Sequence, residues 1–134
     1  MALLDELAAY LATVSPSLGL IVKGSMPATS DVCLSLQEYG GAPPTTGFGT
    51  PGLQYEMPGV QILARGVAHD YQEPRARIER AYQALAKVQG TTLSGTKYLM
   101  VRPQQSPFLL ERDGNERCVF AVNCLAEKEP SAAA

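Results

Sequence analysis

The chain has 134 residues, of which 46% are hydrophobic and 18% charged, and its formal net charge is −2 at pH 7. This length is typical of one domain with a single core, and the composition is that of a globular rather than a disordered chain. The small negative charge argues against a strong binder of nucleic acid or of anionic membranes. No apolar run approaches the roughly 20 residues that span a bilayer, so we expect no membrane partner.

The three cysteines, Cys33, Cys118 and Cys124, are odd in number and lack the spacing of a metal site. We interpret them as reduced core residues of a protein made in a cytoplasm. A reactive thiol is the less favoured alternative, because no basic neighbour is evident. The first residues carry Asp5 and Glu6 inside an apolar pattern and lack a basic start, which argues against a signal peptide.

The first third of the chain predicts one helix and two strands. Leucines and alanines at helical spacing predict a helix over about Leu3–Thr13, which Ser15-Pro16 ends. A short apolar run predicts the first strand over Leu18–Lys23. After a loop rich in Gly, Pro and Ser, alternating apolar and polar residues predict the second strand over Asp31–Tyr39.

Gly40–Met57 is dense in Gly, Pro and Thr and shows no periodicity. We predict a long loop between the second and third strands, and loops of about 18 residues tend to be functional or disordered. Phe48, Leu53 and Tyr55 are unusual in a solvated linker. Two interpretations stay open: a flexible hairpin tip, or a segment that becomes ordered on a partner through these three side chains.

The clearest signal is the strand–corner–helix unit in Met57–Gly90. It predicts a strand over Val60–Val67, a polar corner over Ala68–Glu73 and a helix over roughly Pro74–Val88. One helical face collects the apolar side chains of Ile78, Ala81, Tyr82, Leu85 and Val88. The solvent side is predicted to carry Arg75, Arg77, Glu79, Arg80, Gln83 and Lys87.

Charged residues at i,i+4 spacing support this helix. The two predicted ion pairs are Glu73 with Arg77, and Arg75 with Glu79. Two helix starts stay open. Asp70 and Glu73 have the spacing of a capping box, whereas Pro74 favours the first helical position, which would make Glu73 the cap.

The last part of the chain predicts two or three strands. A polar connection, Thr91–Thr96, leads to a strand over Lys97–Arg102, which Pro103–Pro107 interrupts. Pairing is an open alternative at Phe108–Arg112, and strict alternation predicts the final strand over Arg117–Leu125.

These elements predict an α+β fold in which two helices pack on one face of a mostly antiparallel or mixed sheet of about five strands. We expect one domain over residues 1–126. The polar, alanine-ending stretch that follows, residues 127–134, is predicted to be a flexible tail.

The residues do not suggest a catalytic site, a cofactor site or a metal site. The single histidine, His69, rules out a multi-histidine metal site, and with Asp70 it lacks an evident nucleophile. Arg75, Arg77 and Arg80 could contact phosphates, but such a cluster is more often a solvated helix face paired with acids. We therefore expect no enzymatic activity.

Three stretches carry a resemblance to a known family: Pro58–Gly66, Asp70–Leu85 and Gly95–Leu125. From Met57 onward the chain resembles the minor capsid or tail terminator proteins of tailed bacteriophages, also described as tail completion or head–tail joining proteins. The resemblance implies a helix–sheet protein that assembles as a hexameric ring on the end of the tail tube. Such a ring stops tube growth and offers a surface to the head connector. It also implies that Gly40–Met57 is mobile until the ring forms.

The resemblance further implies a virion location after synthesis in the bacterial host cytoplasm. The expected partners are other copies of the chain, the tail tube protein and the head–tail connector protein, with DNA only as cargo passing through the lumen. For the interface we expect Phe48, Leu53, Tyr55, Arg75 and Arg80. Two alternatives stay open: a head-side adaptor of the neck, or a small α+β ligand-binding or enzymatic domain.

Overall fold

The computed structural model describes residues 2–46 and 52–130, which form two helices and seven strands. In chain order these are α1 (Leu3–Leu11), β1 (Ile21–Lys23), β2 (Cys33–Thr46), β3 (Leu53–Ala68), α2 (Gln72–Ala86), β4 (Gln89–Leu93), β5 (Thr96–Pro103), β6 (Phe108–Arg112) and β7 (Arg117–Lys128). The strands form one sheet in the order β1-β2-β3-β7-β5-β4. β6 pairs with the first half of β7, along the edge whose second half pairs with β5.

The sheet is mixed, because β1 pairs with β2 in parallel and every other described pair is antiparallel. The predicted number of about five strands is too low. The stretch Thr91–Thr96, predicted as a polar connection, supplies most of the edge strand β4 and the start of β5. The strand left open at Phe108–Arg112 is present as β6. β7 ends at Lys128, so it includes two residues that were assigned to the tail.

The main core lies between the helices and one face of the sheet. That face presents alternate residues of three central strands, among them Leu34, Ile62 and Phe120, all almost fully buried. Leu7 of α1 and Leu85 of α2 pack over these residues, and neither leucine has any exposed surface. Each such side chain stabilises the fold by about 1.5–3 kcal/mol, so the predicted apolar face of α2 is the main anchor of the helix.

Polar contacts also tie α1 to the sheet. The Tyr98 hydroxyl of β5 donates a hydrogen bond to Glu6 Oε1 at 2.9 Å, and both side chains are fully buried. Burial raises the pKa of Tyr98 well above its usual value, so its proton stays in this bond. At the opposite edge of the sheet, Lys23 Nζ lies 2.5 Å from Asp5 Oδ1. α1 therefore connects the edge strand β1 with β5, the neighbour of the opposite edge strand β4.

The predicted loop at Gly40–Met57 is wrong for most of its length. β2 and β3 continue through it as a two-stranded arm, with Ala42 opposite Met57 and Thr45 opposite Tyr55. We define the arm as Gly40–Thr46 and Leu53–Met57. Pro43 and Pro44, which lack an N–H, have no partner on β3, because the register of the ladder shifts between Ala42 and Thr45. Residues 47–51 lie outside the described chain.

The start of α2 uses only half of the capping box. Asp70 Oδ1 accepts a hydrogen bond from the Glu73 N–H at 3.2 Å, and the helix begins at Gln72. Pro74 is therefore the third helical residue rather than the first; it still lies in the first turn, where no N–H partner is needed. The Glu73 carboxylate does not complete the box, because it accepts two hydrogen bonds from Arg77.

Arg77 was predicted to face solvent, and this is wrong. Its side chain is 2% exposed, and its guanidinium donates to Cys33 O at 2.8 Å and to Arg65 O at 2.6 Å. The predicted ion pair with Glu73 is confirmed at 2.8 Å. Arg77 thus connects α2 to the backbones of β2 and β3, while the predicted pair of Arg75 with Glu79 lies on the outside at 2.9 Å.

Candidate assembly surfaces

His69 occupies the tight turn between β3 and α2. Its φ is 64°, and its N–H donates to Glu116 O at 2.8 Å. The neighbouring Asp70 carboxylate caps α2 and so is engaged by the helix. Within residues 2–46 and 52–130, no group of three or more His, Cys, Asp and Glu side chains could hold a metal ion. These contacts give His69 a role in the turn.

The three cysteines are free thiols with almost no exposed surface. Burial raises the pKa of Cys124 to about 12, so its thiolate is not formed at neutral pH. Cys118 and Cys124 lie in the core beneath the helices, whereas Cys33 is buried on the other face of the sheet, opposite Arg65. All three therefore fill space in the core, as the sequence predicts.

The expected interface residues lie on two different elements. Leu53 and Tyr55 belong to the arm at the start of β3, and Tyr55 is half-buried. Arg75 and Arg80 belong to α2, which follows the other end of β3. Phe48 lies outside the described residues. Tyr55 and the end of β3 are roughly 40 Å apart along the strand at ~3.3 Å per residue, so the residues do not form one patch in one subunit.

The two arginines of α2 differ in what they offer a partner. Arg75 is about one-third exposed and forms an ion pair with Glu79. Beside it is a shallow depression of about 470 Å³ that Tyr71 and Ala76 also line. Arg80 is less available, because its Nη2 lies 3.4 Å from Ser17 O and its Nε is buried with no hydrogen-bond partner among the described residues.

Exposed hydrophobic side chains gather at one end of the sheet. Among the described residues, six of the seven large hydrophobics with substantial exposure, each 38–52% exposed, are Leu20, Val32, Val67, Tyr71, Leu109 and Leu110. We call this set the apolar end. The register places them together, because β1 and β2 begin there, β3 ends there, and Leu109 of β6 lies opposite Phe120. The arm projects from the opposite end of the same sheet.

The apolar end was not predicted from the sequence. A usable signal is the run Phe108-Leu109-Leu110, because three consecutive apolar residues in a short strand place hydrophobic groups on both faces. One of them must then remain unburied unless both faces are covered. Tyr71 adds to the surface: its ring contacts Phe120 edge to face at 5.2 Å while half of the residue stays exposed.

The sheet face opposite the helices is half covered and half open. Residues 24–32 cover the half near Leu63, and two buried arginines hold this segment in place. Arg65 donates to the carbonyl oxygens of Pro27, Ser30 and Asp31. Arg117 Nη1 lies 2.9 Å from Asp31 Oδ1, and its Nε lies 2.7 Å from Asp113 Oδ2. Burial opposes the charge of Asp113, but the hydrogen bonds from Arg117 outweigh it and lower the pKa of that carboxyl.

The open half carries a row of neutral amides. Gln37, Gln61 and Asn123 lie directly opposite one another on β2, β3 and β7. Together with Glu38, Tyr39 and Gln104 they line a depression of about 290 Å³, and Glu38 is the one charged residue among the described residues of this lining. The nearby Arg102 is neutralised by Glu127 at 3.1 Å. This surface can form hydrogen bonds but offers little net charge.

The helices of the described chain are too short and too polar to cross a membrane. In fold, the chain is similar to a solved protein from the virion of a native gene transfer agent particle. The two share 14% identity over 96% of each chain, with a TM-score of 0.74. A second solved structure has 12% identity over 96% of this chain and 92% of its own, with a TM-score of 0.55.

No individually curated protein matches the chain. The family model described as bacteriophage tail terminator protein matches residues 7–130, which include both helices except the start of α1 and all seven strands. The match extends well beyond the part from Met57 onward that carried the resemblance in the sequence. The protein is a phage structural protein of the virion with a role in the tail, and the chain belongs to the bacteriophage tail terminator protein family.

Proposed function

We propose that this protein forms a closed ring, most simply a hexamer, at the head-proximal end of the tail tube. There it ends tube polymerisation and joins the tail to the head. The observation that carries the proposal is the match of residues 7–130 to the tail terminator family. The proposed partners are other copies of the chain, the tail tube protein and the head–tail connector protein. The role needs no catalysis, no cofactor and no metal.

A head-to-tail ring needs two different patches on each subunit, because one patch of each copy meets another patch of the next. The arm and the apolar end are two different surfaces at opposite ends of the sheet, which is consistent with this requirement. The proposed interface residues on the arm side are Phe48, Leu53 and Tyr55, and those on the helix side are Arg75 and Arg80. Arg75 fits best, since it lies beside the half-exposed Tyr71.

DNA passes such a ring only as cargo, so the ring must not bind phosphates tightly. The distribution of basic residues supports this role. Arg65, Arg77 and Arg117 are buried and engaged within the fold, and Arg102 is paired with Glu127. The open amide row offers hydrogen-bonding groups without a strong attraction for a polyanion.

The proposal is tested by deleting the gene from its phage and imaging the products by electron microscopy. We expect tail tubes of uncontrolled length and heads without attached tails, and we expect a plasmid copy of the gene to restore both. Tails of normal length that fail only to join heads would contradict termination and identify a head-side adaptor. Normal infectious particles would refute both roles.

The arm gives a second test at the level of the purified protein. Replacing Pro43–Gly52 with a short Gly/Ser linker removes a part of the arm that β1 does not support and that lies beyond the last β3–β7 pair, Glu56 with Lys128. We expect the melting temperature of the monomer to change little, while ring formation and tail completion weaken. Unfolding of the monomer with assembly intact would make the arm part of the core.

A further inference from the structure

The apolar end combines exposed hydrophobic groups with an open strand edge. In the part of the chain that the structure describes, β6 pairs with β7 alone, so its outer edge has backbone N–H and C=O groups available. Leu109 and Leu110, each 45% exposed, are on this strand. An open edge beside apolar side chains is suited to receive an extended segment of another chain as an added strand.

The arm has the complementary properties. Its β3 part, Leu53–Tyr55, pairs only with β2 among the described residues, because the nearest β3–β7 pair is Glu56 with Lys128. Its β2 edge contains Pro43 and Pro44, which lack an N–H. The edge that can add to another sheet is therefore the β3 edge of the arm.

The charge of the arm also favours an apolar site. Gly40–Thr46 and Leu53–Met57 contain one ionisable acid, Glu56, and it lies 3.8 Å from the Lys128 ammonium of its own subunit. Docking would therefore not bury an unpaired charge of the arm, which would oppose association strongly.

We propose that the arm of one copy docks on the apolar end of the next, with Leu53–Tyr55 adding as a strand to the outer edge of β6. This inference rests on the proposed ring and names its interface. Each copy has one arm and one apolar end at opposite ends of its sheet, so the contact is heterologous. All arms are occupied only when the chain of subunits closes. Of the two helix-side residues proposed above, Arg75 lies nearer to this contact, because it lines the same depression as Tyr71.

Cysteine cross-linking tests the contact. The native thiols are buried, so a short bismaleimide reagent should report engineered cysteines only. We choose Thr45→Cys in the arm and Leu110→Cys at the apolar end, both at exposed positions. We expect the double variant to give a ladder of covalent oligomers on a denaturing gel. The matched control, Thr45→Cys with Gln83→Cys on the exposed side of α2, should stay monomeric on the same gel.

A second variant, Leu110→Asp, should still fold, with only a small change in melting temperature, because 45% of the residue is exposed. We expect it to need at least a tenfold higher concentration to form the ring, and Gln83→Asp to assemble like the wild type. Rings that form normally while the Thr45/Leu110 ladder is absent would overturn this inference and leave the proposed function standing. Leu110→Asp rings that assemble normally but no longer attach to tails would assign the apolar end to the tube protein instead. Absence of any ring from the unmodified protein would overturn both proposals.

Discussion

Arg77 provides the sharpest test of the packing between α2 and the sheet. Truncating it in Arg77→Ala removes two hydrogen bonds to the Glu73 carboxylate and two to the backbone oxygens of Cys33 and Arg65. Glu73 is half exposed and can be hydrated instead. The two backbone oxygens belong to buried residues, and each hydrogen bond that they accept from a charged donor contributes about 1.5–3 kcal/mol. Together with the lost packing of the side chain, the variant should lose about 3–5 kcal/mol of unfolding free energy.

Equilibrium unfolding in urea measures this loss. With a denaturant dependence of about 1–3 kcal/mol per molar urea, the midpoint should fall by at least about 1 M. The matched control is Arg75→Ala, which removes an i,i+4 ion pair of the same helix at its surface. An exposed pair contributes about 0–1 kcal/mol, so this variant should unfold close to the wild type. Equal losses in the two variants would refute the assignment of Arg77 as a buried connection.

Three further outcomes are expected. Leu85→Ala should lose about 2–5 kcal/mol of unfolding free energy and Gln83→Ala no more than about 0.5 kcal/mol, as denaturant melts would show. The pKa of Asp113 is lowered in the folded state by hydrogen bonds from Arg117, so its contribution to stability is present above pH 3.8 and is lost as the pH falls from there through the lower pKa of the folded state. Asp113→Asn should flatten that part of a stability–pH curve. Cys124, with a pKa of about 12, should resist iodoacetamide at pH 8 until the protein is unfolded, and rapid labelling of the native protein would contradict its burial.

Local periodicity predicted the elements whose side chains face one core. The apolar face of α2 follows from 3.6-residue spacing, and Ile78, Ala81 and Leu85 are fully buried. Arg77 was missed because periodicity treats arginine as a surface residue. Its burial depends on two backbone oxygens from other strands, 12 and 44 residues away in sequence.

The arm and the apolar end were missed for a different reason. Gly41, Pro43 and Pro44 have low strand propensity, yet the strand tolerates them because they lie at register shifts where β2 makes no regular pair with β3. Gly41 in fact needs to be small, since an added Cβ would lie 1.9 Å from Met57 O. The apolar end joins residues from five elements or the turns beside them, and only the register of the sheet brings them together.

Native mass spectrometry of the purified protein over a range of concentrations tests the central claim most directly. We expect monomers when the protein is dilute, because docking the arm has an entropic cost. At high concentration we expect one closed species, most simply the hexamer, without a stable series of open intermediates. Twofold dimers as the largest species at every concentration would contradict the ring and the head-to-tail contact on which it depends.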